Sequence, residues 1–220
     1  MSRLQARAAA ATDSTGPGWS RLDEMISARR VQARLLPDRT PRRGGLECAG
    51  TCLQDRGVGG DFWDVLEPSP DRTVLVVGDV SGKGMPAALM MSALQAMLRT
   101  GYALGPDSLG RRLETVNRLF TASTACEHYA TLFVGEHDAA TGRLVYANCG
   151  HVAPLVLRRG LRVDRLRPTA TVLGLFDRFE GATAATTLEE GDLLLGVSDG
   201  VTEAEDAAGA TFGETRLVAA

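Results

Sequence analysis

Lysine is nearly absent from this 220-residue chain: Lys83 stands alone beside 23 arginines. An excess of basic charge is absent too, since 27 acidic side chains outnumber 24 basic ones and leave a formal net charge of −3. Nucleic-acid-binding domains are normally basic, so no nucleic-acid partner is expected. Cysteine is scarce. Four residues, at 48, 52, 126 and 149, are too few and too spread for a disulfide scaffold, and the expected compartment is a reducing cytoplasm. Long apolar runs are also missing. Val74 to Val77 and Leu193 to Val197 fall far short of the ~20 residues that a membrane helix needs, so no membrane insertion is expected. Residues 1–18 contain no apolar core of a signal peptide. Hydrophobic residues nevertheless make up 44% of the chain, enough for one ordinary globular core.

Small and polar residues ending in Gly16-Pro17-Gly18 mark 1–18 as a disordered tail or linker. Ser20 then suits a helix N-cap, with Asp23 and Glu24 where the helix dipole favours negative charge. The helix predicted over 19–37 sets Leu22, Met25, Ile26, Ala33 and Leu36 roughly on one side, and Pro37 stops it. It reads as a linker or regulatory helix ahead of one domain, 38–220. From Leu46 onward, short apolar runs punctuated by Gly, Pro, Asp and Ser predict strands. Two helical stretches interrupt them. Pro86 opens the first, where Ala87, Met90, Met91, Leu94, Met97 and Leu98 recur at helical spacing; the second runs from about Pro106 to Ser123 with Leu109, Leu113, Val116, Leu119 and Phe120 on its apolar face. Strands are predicted again at 129–136, 143–149, 153–157, 162–166 and 192–197. Strands, then two helices, then strands give an α+β fold with helices packed outside sheets.

Gly59-Gly60-Asp61-Phe62-Trp63-Asp64 and Gly78-Asp79-Val80-Ser81-Gly82-Lys83-Gly84 flank two strands joined by the turn-rich Glu67-Pro68-Ser69-Pro70-Asp71-Arg72, the pattern of a β-hairpin. With the turn centred near Pro70, the numbers of paired residues sum to about 140. Asp61 then faces Asp79 at the open end of the hairpin, and Asp64, of the other parity, points to the opposite face. A bulge would flip that register. Carboxylates that face each other repel, and a cation between them reverses the sign. A third carboxylate, Asp199, ends the apolar run Leu193-Leu194-Leu195-Gly196-Val197-Ser198 at an Asp-Gly turn. All-oxygen ligands suit Mg2+ or Mn2+ and not zinc, and glycines at both hairpin ends allow a carbonyl such as that of Val80 to join them. Two such cations activate a water and polarise a phosphoryl oxygen. Ordinary hairpin and turn aspartates are the other reading of the same three residues.

Seven segments occur in a familiar order: Ala28-Arg29-Arg30-Val31-Gln32-Ala33-Arg34-Leu35-Leu36-Pro37; Val58 to Asp64; Gly78 to Ala88; Tyr129-Ala130-Thr131-Leu132; Tyr146-Ala147-Asn148-Cys149-Gly150-His151; Ser198-Asp199-Gly200-Val201-Thr202-Glu203-Ala204; and Phe212-Gly213. Together they resemble the SpoIIE/RsbU branch of the bacterial metal-dependent protein phosphatases, relatives of protein phosphatase 2C, from about residue 20 to the end. The resemblance implies a β-sandwich of two antiparallel sheets flanked by helices, two Mn2+ or Mg2+ ions, and hydrolysis of phosphoserine or phosphothreonine on proteins. It implies metal ligation by Asp61, Asp79 and Asp199 and by the Val80 carbonyl, with water as nucleophile and no protein nucleophile. Typical substrates in the family are anti-anti-sigma (STAS) proteins, and a sensor domain or regulator is implied at the helix before Pro37. One departure stands out. Family members continue past the Phe-Gly block to an Asp-Asp segment on a last strand, and here no aspartate follows Asp206. The expectation is a phosphatase domain that lacks its C-terminal helix and strand; the alternative is a non-catalytic pseudophosphatase that binds the same partner.

The remaining motifs have plainer readings. Gly78–Gly84 misses the phosphate-binding P-loop pattern, because three residues rather than four separate its first glycine from Gly82-Lys83, and Gly84 follows. Lys83 is either a point charge within reach of a substrate phosphate or a solvated turn residue; a slim, rotatable ammonium suits a glycine-tight loop better than a guanidinium fork. Cys126-Glu-His128 and Cys149-Gly-His151 form a C-x-H pair without a known zinc spacing. Cys48 and Cys52 are expected in the core of a strand, and the methionines at 85, 90, 91 and 97 as core gap-fillers.

Overall fold

Helix α1 (Arg21–Leu35) begins at a capping box, in which Asp23 N donates to Ser20 Oγ at 3.2 Å and Ser20 N donates to Asp23 Oδ2 at 2.9 Å. Residues 20–37, 42–43, 45–55, 57–124, 127–160 and 162–219 are described by a computed structural model. The expected tail at 1–18 and Cys126 lie outside them. The apolar stripe expected on α1 is not its buried face. Leu22 and Ile26 are exposed, as is Val31, and Gln32 is the one buried residue of the helix. Gln32 turns inward instead, to the backbone of Gly59.

Two short strands, β1 (Arg42–Arg43) and β2 (Leu46–Glu47), pair with each other. The hairpin follows as β3 (Phe62–Ser69) and β4 (Arg72–Val80), with Phe62 opposite Gly78, Trp63 opposite Val77 and Leu66 opposite Val74. That is the expected register. Its irregularity falls between Leu66 and Ser69, next to the turn, and leaves the open end undisturbed. Helices α2 (Gly84–Ala103) and α3 (Leu109–Ser123) come next, then β5 (Ala130–Asp138), β6 (Arg143–Cys149), β7 (Leu155–Leu157), β8 (Val163–Arg165), β9 (Ala184–Thr187) and β10 (Leu193–Leu195), and finally the short helices α4 (Asp199–Thr202) and α5 (Gly213–Ala219). One antiparallel sheet has the order β3-β4-β5-β6-β9 and another the order β10-β7-β8.

Strand parity sorts the core into two layers. Phe62, Val74, Val76, Val80, Leu132 and Val134 face α2 and α3, where Met91, Leu94, Leu98, Leu113 and Phe120 complete a dry core. Phe133, Leu144 and Tyr146 point the other way and meet Val156 and Leu166, closing the space between the sheets. Burying such side chains contributes roughly 1.5–3 kcal/mol each. The helices therefore cover one face of the larger sheet and the smaller sheet covers the other, which bears out the expected sandwich. Met91 is fully buried, and Met90 and Met97 pack at the core margin, as gap-filling predicts. Two details differ. Leu119 is 41% exposed, and Cys48 and Cys52 lie half-buried in irregular chain between β2 and β3, since the strand expected there ends at Glu47.

Candidate metal centre

Asp61 lies just before the first pair of the β3–β4 ladder and Asp79 within β4, one step beyond that pair on the opposite strand. Both have the parity of Trp63 and Val77, so both point toward the smaller sheet and away from the helices. The chain leaving β10 comes down on this face: a Cβ on Gly196 would stand 3.0 Å from Val77 Cγ2. Ser198 caps α4, and Asp199 opens it. Three carboxylates from distant parts of the sequence thus meet at one end of the sandwich, between its two sheets. Val80 is fully buried, and its N–H donates to the Gly60 carbonyl at 3.3 Å. A Cβ on Gly60 would collide with the Val80 carbonyl oxygen, so glycine is what lets the Asp61 loop come this close to β4.

The electrostatics of the cluster are those of a site short of positive charge. Burial, followed by the negative charges of Asp61 and Asp199, pushes the Asp79 carboxyl up to about 7. Burial also raises Asp61, and the Ser198 hydroxyl beside it only partly offsets this. Asp61 Oδ1 is sealed from solvent without a hydrogen-bond partner. A buried, unpaired carboxylate oxygen beside two like charges is costly unless a cation neutralises it. The donor set is all oxygen, which fits Mg2+ or Mn2+. Among the described residues, no three His, Cys, Asp or Glu side chains close a cage around one ion. The arrangement is an open carboxylate cluster.

Several residues that the motif reading did not place among the metal ligands support the cluster. Thr131 pairs with Asp79 across β4–β5, and its Oγ1 is 2.8 Å from His151 Nδ1. His151 is buried, and that burial lowers its pKa to about 4 against the opposing pull of Asp199 and the Val197 carbonyl. Its backbone N–H donates to Asn148 Oδ1 at 2.8 Å, and Asn148 Nδ2 donates to the Leu166 carbonyl at 3.0 Å. A neutral imidazole therefore braces the wall behind Asp79 and Asp199. The Gly-His block pointed to His151, and the Tyr129-Ala130-Thr131-Leu132 block contained Thr131 without assigning it a role.

Asp64 points to the helix side, as its parity requires, and is held there by Arg99 and Gln95. It takes no part in the cluster. Lys83 is exposed and stands at the N-cap of α2 without a side-chain capping bond. Cys149 is buried in the core and His151 bonds Thr131, which leaves no paired C-x-H zinc site among the described residues.

Residues 69–220 match the family model described as Stage II sporulation protein E (SpoIIE). Phosphoserine phosphatase RsbU of Bacillus subtilis is 26% identical over 185 residues, which cover 82% of this chain and 53% of RsbU. The crystal structure of the RsbU and RsbW domains of a Mycobacterium tuberculosis protein aligns with a TM-score of 0.61 at 34% identity, covering 70% of this chain and 42% of that one. The SiaA-PP2C domain of Pseudomonas aeruginosa aligns over 100% of this chain and 83% of its own, with a TM-score of 0.71 at 20% identity; at that identity the likeness is one of fold. The chain spans about half or less of the curated relatives it matches, 53% of RsbU and 36% of Protein IcfG of Synechocystis.

Proposed function

The chain belongs to the SpoIIE family and has the protein phosphatase 2C type of sandwich, and on these premises we propose that it is a Mn2+- or Mg2+-dependent protein phosphatase hydrolysing phosphoserine or phosphothreonine. The observation that carries the reading is the meeting of Asp61, Asp79 and Asp199 at the sandwich edge, with the Asp79 carboxyl pushed up to about 7 by burial and then by the charges of the other two.

Two divalent cations, when bound, supply an activated water and polarise the phosphoryl oxygens. Asp61, Asp79 and Asp199 would hold them, together with the Val80 carbonyl. His151 and Thr131 keep the wall behind these carboxylates fixed. Lys83, free on the surface beside α2, supplies a point charge for the incoming phosphate. Attack by water on phosphorus breaks the bond to the serine or threonine oxygen, which takes up a proton; the products are the free hydroxyl and inorganic phosphate.

The substrate we favour is a phosphorylated STAS-domain anti-anti-sigma protein, with the reaction taking place in the cytoplasm. No helix among the described residues is long and apolar enough to cross a membrane. Manganese-dependent release of phosphate from such a phosphoprotein tests the reading. Activity that survives chelation, or survives Asp79→Asn, overturns it. Among the described residues no three His, Cys, Asp or Glu side chains close on one ion, and the second reading is that the chain binds the same partner without turnover. Calorimetry separates the two: partner binding with no Mn2+ binding supports the second.

A further inference from the structure

The stretch that carries Asp61 has no ladder of its own, since β3 begins at Phe62. Side chains do the work that strand pairing does elsewhere. Gln32 Nε2 donates to the Gly59 carbonyl at 2.7 Å, and the Gly59 N–H donates back to Gln32 Oε1 at 3.1 Å. Gln54 Nε2 donates to the Asp61 carbonyl at 2.8 Å. Both amides sit hard against the backbone: a Cβ on Gly59 would collide with Gln54 Oε1. With Val80 N on the Gly60 carbonyl, the main-chain oxygens of three consecutive residues are all fixed. Val58, Gly59 and Gly60 are buried, so water offers these groups little alternative.

Gln32 is the one buried residue of α1, and it reaches 27 residues along the chain to make its two bonds. A polar residue as the inward-facing contact of a helix with exposed Leu22 and Ile26 reverses the usual pattern of amphipathic helices. The helix is held by polar contacts, this amide pair together with the bonds of Gln95 and Arg99 to the Leu35 carbonyl at its end.

We infer that Gln32 and Gln54 are positioning residues for Asp61, two side-chain amides that clamp the Gly59–Asp61 backbone and make the geometry of the candidate metal centre depend on the seating of helix α1. This rests on the phosphatase reading for its consequence at the metal. The clamp itself consists of protein groups alone.

The test uses the full chain and the variants Gln32→Leu, Gln32→Glu and Gln54→Met, with Val156→Ala, buried in the core of the smaller sheet among Phe133, Leu144, Tyr146 and Leu166, as a control for general loss of stability. Gln32→Leu is expected to weaken Mn2+ binding about tenfold or more by calorimetry, the range typical of residues that orient metal ligands. It is also expected to speed hydrogen exchange at the Gly59 amide in chelator. Gln32→Glu keeps the acceptor for the Gly59 N–H and loses the donor to its carbonyl, so exchange stays slow while Mn2+ binding weakens. Gln54→Met leaves the Gly59 amide protected and weakens Mn2+ binding. Val156→Ala lowers the thermal midpoint and moves neither readout. Wild-type Mn2+ affinity and exchange in a folded Gln32→Leu protein overturn the inference. If the wild-type chain binds no Mn2+, the metal reading fails, while fast Gly59 exchange in Gln32→Leu still supports the clamp.

Discussion

Arg99 grips Asp64 at two points, Nε to Oδ2 at 2.7 Å and Nη2 to Oδ1 at 3.1 Å, on the helix side of the strand whose other face leads to Asp61. Gln95 Nε2 adds a third bond to Oδ2 at 3.1 Å. Both Gln95 and Arg99 also donate to the Leu35 carbonyl, at 2.9 and 2.8 Å, so the buried carboxylate fastens α2 to the end of α1. Two aspartates three residues apart thus serve opposite faces of one strand.

Arg99→Leu is expected to destabilise the fold, because it strips a cation from an Asp64 side chain that is only 4% exposed. Breaking a fully buried pair costs about 3–5 kcal/mol. The Arg99 side chain is 42% exposed, and solvent screens its share, so about 2 kcal/mol is the expected loss. Urea denaturation measures it.

Asp79→Asn separates stability from function. In chelator it removes one of three repelling carboxylates and is expected to stabilise the chain by up to about 1 kcal/mol, the scale of a like-charge pair across strands. With Mn2+ present, phosphate release is expected to fall to background. A destabilised variant in chelator would mean that Asp79 is held by a favourable interaction, against the cation-poor cluster.

Stability of the chelated protein should fall as pH rises. Asp79 titrates at about 7 when folded, against an ordinary value of 3.8. Between those values the folded chain holds a proton that the unfolded chain has released, so the contribution is full near pH 4, declines toward pH 7 and is flat above. The slope is isolated by comparing wild type with Asp79→Asn in thermal melts from pH 4.5 to 8. Saturating Mn2+ should abolish the loss at the alkaline end, since the ion binds the deprotonated cluster.

The hairpin was readable in advance because one number fixed it: a turn near Pro70 sets every pair in β3 and β4, and parity then divides Asp61 from Asp64. Helices α2 and α3 were readable from apolar spacing. What escaped was set by single contacts between distant segments. The face of α1 turned on one amide pair, Gln32 with Gly59, which no periodicity encodes. Strand β9, Ala184-Ala185-Thr186-Thr187, lacks the large apolar residues that mark a strand, and exists because β6 offers its edge. Cys52 looked like a core residue; its Sγ sits 3.5 Å from the Asp61 carbonyl instead. Thr131 stood in a family block without a role, because its role comes from the strand register that sets it beside Asp79.

Gly60→Ala tests the close approach on which the cluster depends. The added Cβ meets backbone, the Val80 carbonyl oxygen, and cannot be relieved by a side-chain rotation. The Asp61 loop must then retreat from β4, which strains the 3.3 Å bond from Val80 N and draws Asp61 away from Asp79. Overpacking of this kind costs roughly 1–3 kcal/mol, and Mn2+ affinity should fall about tenfold or more. Gly110→Ala is the counterpart. Gly110 lies in helix α3 with nothing within 4 Å of a built Cβ, so alanine there should stabilise by about 0.5–1 kcal/mol through helix propensity and leave metal binding unchanged. Thermal melts in chelator and Mn2+ calorimetry on the pair give the result: if both substitutions shift stability while neither alters metal binding, the contact between Gly60 and Val80 is structural alone, and the Asp61 loop does not set the metal site.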